Sequence, residues 1–192
     1  MRRVAATSRA AGSALLVALA SLVMLSGCVP DDSPPAPPQT TATAAPVFAS
    51  EEEALAAATE AVQKYLAVSD QVAQDGGNDP SRFAEVVTAE WLPQEEKSAE
   101  FLRTEGLKQV GVSTFELASL QQWDQEPDSV SIVLYLCFDL STTDLVKLDG
   151  SPSSVETTDS TVPVEVAVAA ITPSPLRVER ISPWSGDDFC NG

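Results

Sequence analysis

The sequence predicts an α+β fold in which about three N-terminal helices pack on a curved antiparallel sheet. Apolar residues recur at helical spacing between positions 50 and about 104, starting from a Ser-x-x-Glu pattern. Beyond Gly111 the period changes to the alternation of strands. Clusters of Asp, Gly and Pro then cut this second half into strand-length pieces. Helices first and strands afterwards is the order of an α+β domain with its helices gathered on one side of the sheet. The chain divides into an export segment (1–27), a tether (28–49) and one folded domain (50–192).

Arg2, Arg3 and Arg9 precede an apolar run of about 15 residues at 11–25, and small residues lead to Cys28. A bilayer span takes roughly 20 apolar residues, so a secretion signal fits better than a transmembrane helix. The box Leu25-Ser26-Gly27-Cys28 resembles the lipobox of bacterial lipoproteins. That resemblance implies cleavage before Cys28, lipid attachment on its thiol, and a mature protein anchored on the extracytoplasmic face of the cell membrane. More than one acyl chain is needed for stable anchoring. The tether holds Pro30, Pro34, Pro35, Pro37, Pro38 and Pro46 among Asp, Ser, Thr and Ala. Such a segment favours extended polyproline conformation, and at about 3 Å per residue it reaches roughly 60 Å.

Ser50-Glu51-Glu52-Glu53 reads as a capping box, with Ser50 as N-cap and Glu53 reaching back. Leu55, Val62, Leu66, Ser69 and Val72 then mark an amphipathic helix to about Gln74. Asp75-Gly76-Gly77-Asn78 ends it, and Asp79-Pro80 opens a second helix with Asp79 as cap. Asp75, Asn78 and Asp79 lack the alternating ligands of a calcium loop and read as a turn. Trp91-Leu92-Pro93 reads as a further break, followed by a third helix from Glu95 to Thr104, closed by Gly106.

Positions 114–123 alternate as a strand, with Phe115 and Leu117 on one face and Glu116 and Leu120 on the other. The acidic stretch 124–128 reads as a turn. The nearly unbroken apolar run 130–140 reads as a central strand covered on both faces. Asp149-Gly150 is a strong hairpin signal. Segments 162–171 and 176–181 predict a second hairpin about 173–175.

Composition narrows the function. The chain carries −17; loss of 1–27 removes three of 11 basic residues and none of 28 acidic ones, leaving −20. Nucleic acid and anionic lipid surfaces call for a basic patch, so neither is expected as a partner. No histidine is present. Serine-histidine and cysteine-histidine hydrolysis and histidine-containing zinc sites are thereby excluded. No cofactor and no metal are expected. With Cys28 lipidated, Cys137 and Cys190 remain in an oxidising compartment. A disulfide between them is the expectation, worth about 4 kcal/mol for a loop of about 50 residues, and two free thiols are the alternative.

The helix-then-strand order resembles the NTF2-like (cystatin-like, SnoaL-like) fold, whose bent sheet and three helices enclose a cone. The Leu25–Cys28 box, the Cys137 strand running into Phe138-Asp139, and the tail Pro183-Trp184-Ser185-Gly186-Asp187-Asp188-Phe189-Cys190 resemble small lipoproteins of high-GC Gram-positive bacteria. The resemblance implies fold and location and attaches no activity. A cone of that fold would be lined by Tyr65, Phe83, Trp91, Phe101, Phe115 and Tyr135, with Asp139 as a polar group, unless these aromatics simply fill the core. Tyr135 and Asp139, four apart on one strand, share a side. They permit an isomerase-like or cyclase-like acid–base pair without indicating one. Trp123 and Trp184 are candidate exposed anchors for an envelope protein, with packing beside the disulfide the alternative for Trp184. The expectation is a non-catalytic, lipid-anchored domain that binds a small apolar ligand in the cone or, alternatively, an envelope protein.

Overall fold

In the computed structural model the described residues are 47–155, 161–172 and 174–190, the side chains of 117 and 118 excepted. The export segment, Cys28 and nearly all of the tether lie outside them.

Helix α1 (Glu51–Gln74) starts where the cap predicts. The Glu53 amide donates to Ser50 Oγ at 3.2 Å, and Glu53 Oε2 accepts from the amide of Ala49 at 2.8 Å, one residue further back than a standard capping box. Its buried stripe is Ala54, Ala58, Ala61, Val62, Tyr65, Leu66 and Val72. The small alanines let the helix lie close against the sheet.

A 3₁₀-helix (Pro80–Glu85) follows. Asp79 is not the side-chain cap expected of it: its φ of 50° is left-handed, and Ser81 Oγ donates to its carboxylate instead. Arg82 fills the preceding turn, bonding Asp75 at 2.8 Å and the Asn78 carbonyl at 2.9 Å. Helix α2 (Leu92–Glu105) begins earlier than expected and takes in Pro93. A proline in the first helical turn forfeits no intrahelical bond, so Pro93 starts the helix rather than breaking the chain. Gly106 ends α2 in left-handed conformation (φ 64°), as predicted. Gly77 is also left-handed (φ 79°), and a Cβ there would sit 2.1 Å from the Ala99 carbonyl oxygen, so α2 crosses tightly over it.

Two short strands escaped the periodicity: β1 (Leu107–Val110) pairs antiparallel with β4 (Asp144–Lys147). The main sheet has the order β2-β3-β5-β6, all antiparallel, from β2 (Thr114–Glu126), β3 (Ser129–Asp139), β5 (Thr161–Ile171) and β6 (Arg177–Pro183). Strand β2 runs through the expected acidic turn to Glu126, and the reversal narrows to Pro127-Asp128. Register shifts between Glu116 and Ser119 and between Leu120 and Gln122 each insert a residue. A bulge reverses side-chain parity. Phe115 and Leu120, expected on opposite faces, therefore both pack on the core, with Trp123.

Strand β3 is not equally covered on both faces. Val130, Ile132, Leu134 and Leu136 are 0–2% exposed, whereas Ser131, Val133 and Tyr135 between them are half-buried. Asp149-Gly150 makes a turn that leads only to an isolated bridge between Val146 and Pro152, not to a paired hairpin. The β5–β6 hairpin forms as expected. One core lies between the helices and the inner sheet face, joining the α1 stripe to Phe83, Val87, Ile132, Leu134, Val166, Val168 and Val178.

Candidate functional site

Cross-strand register sorts the sheet into two faces. The row Trp123–Ile132–Val168–Val178 points into the core, so the neighbouring row Asp124–Ser131–Ala169–Arg177 points outward. The outer rows beyond it are Gln122–Val133–Ala167–Arg180 and Ser119–Tyr135–Glu165–Ser182.

The expected cone residues do not form one constellation. Tyr65 and Phe83 are 7% and 3% exposed, 6.3 Å apart, and belong to the core. Trp91 and Phe115 are half-buried against it. Phe101, expected inside, is 48% exposed on α2. Tyr135 lies on the outer face, where Trp184 (4.6 Å) and Phe189 (5.7 Å) cover its ring. Asp139 shares that face and has the Ser141 amide as donor, at 2.8 Å. Ser141 also holds its carboxyl below the usual range. Neither group of the conceivable acid–base pair faces the helix–sheet interior. Trp123, a candidate exposed anchor, packs inward. Trp184 sits beside the disulfide rather than free: its indole N–H donates to the Asp187 carbonyl at 3.1 Å. Cys137 and Cys190 are bonded, with Cα atoms 5.6 Å apart, so the tail is tied across the outer face.

Two buried carboxylates went unnoticed in the sequence. Glu95, 6% exposed, accepts from the Tyr65 hydroxyl at 3.0 Å and the Trp91 indole at 2.7 Å, both on Oε1. Burial raises its carboxyl above the ordinary value, outweighing both donors. Burial, followed by the charge of Glu95, pushes the Tyr65 hydroxyl far upward, so it stays protonated as the donor. Asp70, 7% exposed, accepts from Gln109 Nε2 at 2.7 Å and from the amide and hydroxyl of Ser113 at 2.8 Å each. This latch fixes the loop before β2 to α1. It also forms one end of a cleft of about 500 Å³ lined by Leu66, Ala67, Gln71, Val112 and Phe115. Asp70 continues the helical stripe Val62–Leu66 by four residues, a signal that could have exposed it. Trp91 and Glu95 stand in the same i,i+4 relation.

A second cleft, about 490 Å³, opens at the hairpin end of the sheet, between residues 88–90 and the strand ends at Ser129, Ser131, Ala169 and Arg177. At the same end the tether joins the fold: the Gln125 side-chain amide both accepts from and donates to the Phe48 backbone, at 3.1 Å each way. Among the described residues, no helix is long and apolar enough to cross a membrane.

No family model matches the chain, and no curated protein matches it in sequence. Similarity is found in the fold. The intermembrane space region of chloroplast protein ARC6 superimposes with a TM-score of 0.50 at 15% identity, over 67% of this chain and 95% of that one. An NTF2-like superfamily protein from Salmonella enterica serovar Typhimurium aligns at 0.44 and 13%, covering 74% and 99%. CagV, a VirB8 homologue of Helicobacter pylori, aligns at 0.35 and 9%, covering 66% and 96%. The last two are loose likenesses, and the first speaks to the fold alone.

Proposed function

We propose that this chain is a lipid-anchored, non-catalytic domain of the cell envelope with an NTF2-like fold, working as an interaction scaffold through its outer sheet face. The observation that carries the reading is the distribution of its thiols. Cys137 and Cys190 are joined to each other, so Cys28, at the end of a lipobox-like segment, is the one cysteine left over. A disulfide suits an oxidising compartment, and a lone cysteine at that position suits lipid attachment. The aromatics expected to line a ligand cone are instead core packing, exposed, or turned to the other face. The outer face presents small and polar side chains around half-buried Val133, bordered by Tyr135, Trp184 and Phe189.

A small apolar ligand is the second reading, and the cleft between α1 and the start of β2, floored by Leu66, Ala67 and Phe115, favours it. Photo-crosslinking in intact cells separates the two. A crosslinker at Val133 should yield a protein adduct in the membrane fraction, and one at Glu96 on α2 should not. A bare Val133 position, together with a small mass retained on the native protein and lost on denaturation, would replace the scaffold by a ligand carrier.

A further inference from the structure

We propose that the cleft at the hairpin end of the sheet is a binding site for a monocarboxylate with an adjoining apolar group, held by Arg177 and Thr88. The inference rests on reading the outer face as a binding face and names the chemistry that one end of it recognises.

Arg177 is set apart from the other described arginines. Arg82, Arg103 and Arg180 each pair with a carboxylate, whereas the Arg177 side chain has no ion pair or hydrogen bond with any described residue, in a chain carrying −17. Its Nε is buried and unpartnered, and so is the hydroxyl oxygen of Thr88. Both residues line the same cleft. A buried donor without an acceptor is costly, and the more so when it belongs to a charged group. A ligand in the cleft with oxygen acceptors could partner both residues, and a carboxylate also matches the planar fork of the guanidinium.

The site is built on fixed backbone. The Thr88 amide donates to the Val178 carbonyl at 2.8 Å, which sets residue 88 beside Arg177, and its own carbonyl accepts from the amides of Trp91 and Leu92 at 3.1 and 3.0 Å. Ser131 and Ala169 complete the row with Arg177, and their short side chains leave the depression. Ile171, 74% exposed, and Pro175 supply an apolar wall. Glu90 and Glu179 also line the cleft, both exposed and neither paired with Arg177. Two acidic groups at the rim oppose a dianion and leave a single carboxylate as the anion that fits, with its apolar part on Ile171 and Pro175. A free branched-chain acid and the C-terminus of a peptide both offer that chemistry.

The test uses the full chain purified from membranes in detergent, with ligand-observed saturation-transfer NMR. The probes are isovalerate, N-acetyl-Ala-Ala-Val with a free carboxylate, and the same peptide as its C-terminal amide. At least one acid should bind, and the amide at least tenfold more weakly than its acid. Arg177→Gln should weaken the acid at least tenfold, Arg177→Lys less, and Thr88→Val about three- to tenfold, as expected for lost charge-assisted hydrogen bonds. Arg180→Gln, on the same face, should change nothing. A tenfold preference for the peptide acid identifies a chain terminus as the ligand; equal binding identifies a small acid. Absence of binding by either acid, equal binding of acid and amide, or unchanged binding in Arg177→Gln overturns the proposal. The acid–amide comparison needs no variant, so it stands even if a substitution impairs folding. A chain that fails this test yet keeps the Val133 adduct loses the carboxylate site and retains the interaction face.

Discussion

Replacing Cys190 with Ser opens a bridge that closes 53 residues of chain and pins the tail over Tyr135. In the chain-entropy treatment a loop of that length destabilises the unfolded state by about 4 kcal/mol. For a domain of this size each kcal/mol moves the thermal midpoint by roughly 3 °C, which gives a fall of about 10–15 °C. The aromatic contacts of Trp184 and Phe189 with Tyr135 set a second readout, because an untied tail should weaken the near-ultraviolet circular dichroism of that cluster. Trp184 itself should stay partly held, since its amide donates to the Pro163 carbonyl at 2.9 Å. Thermal melts of wild-type and variant protein, with the wild type also reduced, measure both effects. Reduction should reproduce the variant. A shift under about 3 °C would refute the reasoning, showing that the tail adds no constraint that the sheet lacks.

Four further substitutions probe the buried carboxylates and the left-handed turns. Burial raises the Glu95 carboxyl, so the folded state keeps its proton to higher pH than the unfolded chain does. Its stabilising contribution is complete below the unfolded value, about 4.3, and is lost as pH rises through the folded value. Glu95→Gln retains an acceptor for Tyr65 and Trp91; urea titrations should find it more stable than wild type at pH 7 and nearly equal at pH 4, and a less stable variant at pH 7 would count against the assignment. Asp70→Ala leaves three donors from Gln109 and Ser113 unpaired and should cost about 2–4 kcal/mol, with faster hydrogen exchange at Ser113. Gly77→Ala meets both a left-handed φ and the Ala99 carbonyl and should cost roughly 2–4 kcal/mol. Gly106→Ala, left-handed with nothing within 4 Å, should cost only about 1 kcal/mol.

Local chemistry made part of this molecule legible. Ser50 and Glu53 announce α1, Gly106 ends α2, and the β-rich runs of β3, β5 and β6 are long enough for their period to stand out. Where long-range pairing decides, the pattern misleads. The bulges of β2 bring Phe115 and Leu120 to one face although their spacing says otherwise, because an inserted residue is visible only against the partner strand. At four residues each, β1 and β4 are too short to show a period. Arg177 and Thr88 look like ordinary surface residues until a parallel bridge between Val87 and Val178 brings their segments together. Glu95 and Asp70 are two among 28 acidic residues, and only their places on helical stripes set them apart. The tail was readable as a staple from its cysteine, yet the packing of Trp184 against Tyr135 depends on the register of β3 with its neighbours.

The central claim, a lipid-anchored domain outside the cytoplasm, is tested most directly by the intact mass of the protein recovered from membranes without reducing agent. The prediction is a chain beginning at Cys28, carrying the added mass of a lipid, and taking up no thiol label because Cys137 and Cys190 are joined. A chain that retains residues 1–27, or an unmodified Cys28 on protein found in the aqueous fraction, would contradict it.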